Sequence, residues 1–147
     1  VVRSVTLKKI IRIQEIAFWR DFMKVVELMN KNVVTCHPSE TLTVIVNKFE
    51  LFNIAGMPVV EKGRLSGIIC QSDILRKVKE GGKTLNELTV RDAMVANVIT
   101  APPAESVFRI AKIMVEKHVN RIPIVENDTV VGIVTRGDII KAVAECG

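Results

Sequence analysis

Gly132-Ile133-Val134-Thr135-Arg136-Gly137-Asp138 decides how this chain is read. An aliphatic run ends on a hydroxyl and is followed three residues later by an aspartate, the pattern of a strand running straight into the first turn of a helix. Gly67-Ile68-Ile69-Cys70-Gln71-Ser72-Asp73 repeats that frame 65 residues earlier. Extending the same offset outward aligns 25–80 with 90–145 without a gap, with 17 identities in 56 pairs. Val33-Val34-Thr35 meets Val98-Ile99-Thr100, and Met57-Pro58-Val59-Val60-Glu61 meets Ile122-Pro123-Ile124-Val125-Glu126. An internal duplication therefore organises the chain.

Each copy reads as β-α-β-β-α. A short opening strand (Val33–Thr35, Val98–Thr100) runs into a proline turn. A helix follows, with Leu42, Ile45, Val46 and Phe49, or Val107, Ile110, Ala111 and Met114, at i, i+3, i+4, i+7. Ser39 is the expected N-cap of the first helix. A hairpin comes next, turning at Lys62-Gly63 and Asn127-Asp128, residue types that tolerate positive φ. The second helix starts near Ser72-Asp73 and Gly137-Asp138. One such copy buries little alone, so the expected fold is α+β, two β-α-β-β-α repeats packed together. The expected boundaries are an appended N-terminal helix over 1–22, repeat 1 over 23–80, a linker over 81–90 that Gly81-Gly82 opens, and repeat 2 over 91–147.

Composition narrows the class. The chain has 147 residues, 48% hydrophobic and 25% charged, which excludes disorder for most of its length. No apolar run approaches the roughly 18 residues of a membrane span. Cys36, Cys70 and Cys146 are odd in number and widely spaced, against a disulfide framework or a paired-cysteine zinc site, and a reducing, cytoplasmic setting is expected. The net charge of +5 is concentrated in residues 1–24, which carry +4. With one tryptophan and no tyrosine, the body lacks the stacking platforms of a single-strand binder. Nucleic-acid binding would have to work through that basic N-terminal helix.

These residues resemble the tandem cystathionine β-synthase (CBS) domain pair. The resemblance rests on the hydrophobic-x-Thr opening before a proline, the hydrophobic-Pro-hydrophobic strand and the Gly-h-h-Thr-x-x-Asp stretch, and covers residues 24–145. It implies a module of pseudo-two-fold symmetry, often a homodimer, that binds AMP, ADP, ATP or S-adenosylmethionine in grooves between its copies. Such modules regulate an enzyme or transporter and are not themselves enzymes. No cofactor or metal is required; the adenosine compound is the regulatory ligand.

The chemistry has its own logic. A carboxylate at the first turn of a helix is placed to accept from both ribose hydroxyls, and the helix N-terminus favours a phosphate. Asp is also a favoured cap, so Asp73 and Asp138 serve that purpose equally well on sequence grounds. Carried over residue by residue, the resemblance implies that each groove pairs the aspartate of one copy with residues of the other. One groove then has Thr135, Arg136 and Asp138 with Thr35, Ile54, Ala55, Gly56 and Pro58 opposite. The other has Cys70 and Asp73, with Thr100, Val119, Asn120 and Arg121 opposite. Cys70 stands where a hydroxyl is expected, and Asn120 where family members often have His. The Asp138 groove is thus favoured for adenosine, with Arg121, Arg136 or a partner chain expected to meet a phosphate, and occupation of both grooves stays open.

Other signals are weaker. Gly81-Gly82-Lys83-Thr84 looks like the end of a phosphate-binding loop, but Lys77 stands where its first glycine belongs. His37 and His118 lie in no spacing that suggests a metal site or a triad, and read as surface residues. The competing reading of the whole is a ligand-free dimerisation or docking module whose aspartates only cap helices.

Overall fold

The computed structural model describes residues 22–146. All but Phe22 of the expected appended helix lies outside the described residues, and with it the basic segment on which nucleic-acid binding would rest.

Two compact units emerge, and they cut across the sequence repeats. One contains 32–99 with 126–130; the other contains residues 100–125 and 131–146 together with the described residues up to Lys31. The stretch ahead of each opening run thus packs with the body of the other copy.

In the unit built on the first copy, α1 (Leu42–Phe52) buries Leu42, Ile45 and Phe49, the stripe expected from helical spacing. β1 (Gly56–Glu61) pairs antiparallel with β2 (Arg64–Cys70), Gly56 opposite Cys70, with a register shift between Val59 and Val60. The turn has positive φ at Lys62 and Gly63, as the residue types predicted. α2 (Gln71–Glu80) follows directly and ends at Gly81, φ +70°. The short α3 (Val90–Ala93) leads to Val95, which exchanges two backbone hydrogen bonds with Ile68 (2.9 Å each). Leu42, Ile45, Met57, Val59, Ile69 and Val90 are fully buried in one apolar cluster. Each such side chain contributes about 1.5–3 kcal/mol by leaving water.

The other unit repeats this plan. A 3₁₀ turn at Val25–Glu27 leads to Asn30, which exchanges two backbone hydrogen bonds with Ile133 (2.9 and 3.0 Å), as Val95 does with Ile68. α4 (Val107–Lys117) buries Val107, Ile110 and Met114, and the Ser106 hydroxyl caps it by accepting from Arg109 N at 3.1 Å. β3 (Arg121–Glu126) pairs with β4 (Thr129–Thr135) across Asn127-Asp128, both at positive φ, and α5 (Arg136–Cys146) follows.

Two local expectations need correcting. The opening runs do not form strands; the residue just after each makes a single parallel bridge, Cys36 to Val59 and Ala101 to Ile124. The prolines that follow, Pro38 and Pro102-Pro103, lack the N–H that would continue a ladder. Ser39 is also not the cap of α1. Thr41 holds that position without a side-chain hydrogen bond, and the Ser39 hydroxyl lies 2.7 Å from His37 Nδ1 instead.

Candidate functional site

The junction between a hairpin and the helix after it is built the same way in both copies. Gln71 N donates to Ala55 O (3.0 Å), and the equivalent Arg136 N donates to Asn120 O (2.8 Å). Each bond ties the first helical residue to the segment just before the inner strand. Ala55, Gly56, Cys70 and Asp73 therefore stand together, as do Asn120, Thr135, Arg136 and Asp138. Val119, Asn120 and Arg121, which the resemblance sets opposite Asp73, adjoin the junction of their own copy. Only the hydrogen bond from Arg136 N to Asn120 O reveals this neighbourhood, and periodicity carries no trace of it.

Asp138 is half-buried at the first turn of α5. Its Oδ2 accepts from Thr135 N (2.8 Å) and from the Thr135 hydroxyl (3.0 Å), and its own N–H donates back to that hydroxyl (3.3 Å). The capping role is real, yet it occupies one oxygen. No hydrogen bond reaches Oδ1 among the described residues. Gly137 leaves the helix start uncovered, because a β-carbon there would meet only the Thr135 hydroxyl, at 3.7 Å.

Asp73 is different. It is 4% exposed. Its Oδ2 accepts from Cys70 N at 2.8 Å, and its Oδ1 is ion-paired with the Arg76 guanidinium, three residues along α2. Both oxygens are thus engaged. Arg76 was not singled out from the sequence, although an acid and a base three apart on a helix are neighbours.

The remaining candidates fall as follows. Thr35 is half-buried, and its carbonyl accepts from Lys48 Nζ at 3.0 Å. The Pro58 carbonyl is used by Cys36 N at 3.1 Å, and Ile54 packs on the first unit's core. Thr100 is exposed, immediately before the bridge at Ala101. Arg121 is half-buried at the start of β3, and Arg136 is exposed at the start of α5. An apolar cleft of about 530 Å³ adjoins this junction, lined by Ala111, Met114, Val115, Ile139 and Ile140, with His118, Val119, Asn120 and Arg136 completing its wall. His118 is exposed and closes α4 in the left-handed conformation (φ 54°), as Asn53 closes α1.

Burial pushes the Cys36 thiol up to about 12, with the Glu40 carboxylate adding to the effect and Lys48 opposing it, so this cysteine is no nucleophile at neutral pH. Among the described residues no three His, Cys, Asp or Glu side chains are grouped to hold a metal, and no helix is long and apolar enough to cross a membrane.

Comparison with known proteins identifies the family behind the duplication. The CBS domain profile matches residues 25–80 and again 90–145. Protein MK0525 of Methanopyrus kandleri is 37% identical over 117 residues, covering 78% of this chain and 60% of that protein. The inosine-5'-monophosphate dehydrogenase of Methanocaldococcus jannaschii is 31% identical over 119 residues, 78% of this chain but 22% of the enzyme. The chain thus spans only part of these relatives. Among solved structures, the CBS domain pair of protein MJ0100, in complex with 5'-methylthioadenosine and S-adenosyl-L-methionine, superposes with a TM-score of 0.78 at 29% identity, over 85% of this chain and 98% of that one. With the duplicated α-β-β-α plan and two matched aspartate junctions, the chain belongs to the CBS domain family as a tandem pair.

Proposed function

We propose that this chain is a regulatory module that binds an adenosine-bearing ligand at the Asp138 junction and passes its presence to a partner enzyme or transporter. One observation carries the reading: a helix-start carboxylate, steadied through Oδ2 by Thr135, keeps Oδ1 without a partner among the described residues. That oxygen suits a ribose hydroxyl, and the N–H groups of α5 with Arg136 suit a phosphate. The ligands of the MJ0100 pair support adenosine as the common element. AMP, ADP, ATP and S-adenosylmethionine are the compounds to test. Regulation then follows from a difference in ligand affinity between two arrangements of the module.

Isothermal titration of the chain with these four compounds tests the reading. Binding that Asp138→Ala abolishes supports it. No heat at millimolar concentration of any of them overturns it in favour of a docking module whose aspartates only cap helices.

A second copy is the proposed companion. Leu75 and Val78 on α2 are exposed, and so are Ile140 and Val143, their equivalents on α5. Apolar pairs repeated in this way suit a self-complementary interface. Light scattering should give twice the chain mass, and the mass of one chain for Leu75→Asp combined with Ile140→Asp. A single-chain mass for the unaltered protein overturns the pairing.

A further inference from the structure

We infer that the module takes one adenosine-bearing ligand per chain and not two, because Arg76 holds the aspartate of the first copy closed; this rests on the function proposed above. The duplication puts an aspartate at both junctions, and a twofold-repeated module would offer two sites. Three residue pairs separate them.

First, the acids differ in what remains to be offered. Asp73 has both oxygens engaged, by Cys70 N and by Arg76, whereas Asp138 uses only Oδ2. A ribose hydroxyl reaching Asp73 must share Oδ1 with the Arg76 guanidinium on an acid that is buried, whereas Asp138 is half-buried and its Oδ1 is unshared. Moving the guanidinium aside to make room would leave the buried carboxylate's charge without a counter-ion. Second, the residue equivalent to Arg76 is Lys141, which makes no hydrogen bond or ion pair among the described residues. Asp138 therefore has no latch. Third, Cys70 replaces Thr135, so the group that accepts from the aspartate's N–H in the first copy is a weakly polar thiol and not a hydroxyl. All three differences point the same way.

Calorimetric titration with AMP, and separately with 5'-methylthioadenosine, reads the stoichiometry directly. The expected values are one ligand per chain for the unaltered protein, none for Asp138→Ala, and two for Arg76→Ala combined with Cys70→Thr. Two equivalents on the unaltered chain, or one equivalent surviving Asp138→Ala, would overturn the closure while leaving adenosine binding intact. One equivalent on the folded double variant also counts against it. No heat in any titration removes the adenosine reading, and the closure with it. Should the double variant fail to fold, the counts on the unaltered chain and on Asp138→Ala still decide the question.

Discussion

Met94 lies so close to Gly67 that a β-carbon on the glycine would sit 2.8 Å from the methionine sulfur and 2.9 Å from the carbonyl of Val95. The carbonyl is the stiffer neighbour, since it accepts from Ile68 N within the two-bond bridge that joins α3's exit to β2. Gly132 faces Met29 in the same way, but there every close atom belongs to the flexible methionine side chain. Gly67→Ala is therefore expected to cost about 1–3 kcal/mol, as overpacking does, and Gly132→Ala clearly less. Urea unfolding of the two variants checks the order; equal losses would contradict it.

The Thr135 hydroxyl both donates to Asp138 Oδ2 and accepts from Asp138 N. Thr135→Val keeps the shape and removes both bonds. A loss of about 1 kcal/mol is expected, as for a helix cap, which lowers Tm by about 2–4 °C in a chain of this size. An unchanged melting curve would show that the backbone bond from Thr135 N suffices.

Burial holds the Cys36 thiol up at about 12, so it stays almost wholly protonated at pH 8. Its sulfur lies 3.8 Å from the Pro58 carbonyl, inside the first unit's core. Iodoacetamide at pH 8 followed by peptide mass spectrometry should modify it only as the chain unfolds. Modification of the native protein as fast as of free cysteine would refute this placement.

Asp92 is held below the usual carboxylate range by the N–H and hydroxyl of Thr89, at 2.8 and 3.1 Å. A carboxyl whose folded value is depressed adds stability that is complete above its unfolded value and is lost as pH falls through the folded one. The gap between the unaltered chain and Asp92→Asn should therefore narrow as pH drops from about 6 to about 3. Denaturant midpoints measured across that range check the sign, and a gap that widens in acid would reverse it.

The elements themselves were plain in the sequence, because their causes are local. The α1 and α4 stripes, the positive-φ turns at Lys62-Gly63 and Asn127-Asp128, and the aspartates opening α2 and α5 all follow from side chains within a few residues of one another. What the sequence could not reveal was placement across the chain. Nothing in Val25–Asn30 says that it packs beside Ile133 and not beside its own hairpin, because hydrophobic period marks a face without naming its neighbour. The same gap hid the neighbourhood of Asn120, which a backbone bond from Arg136 N defines. Arg76 was readable in principle, three residues from Asp73, but its effect depends on the burial of that acid.

The exchanged leading segments bear on how such a chain arose. Residues 25–30 bridge to Ile133, and residues 90–95 bridge to Ile68, so the piece that was copied is not the piece that folds. A lone copy with this plan would have to find its missing edge on a sister molecule, at whatever abundance its surroundings supplied. Two copies joined head to tail make that encounter a matter of tether length, free of dilution.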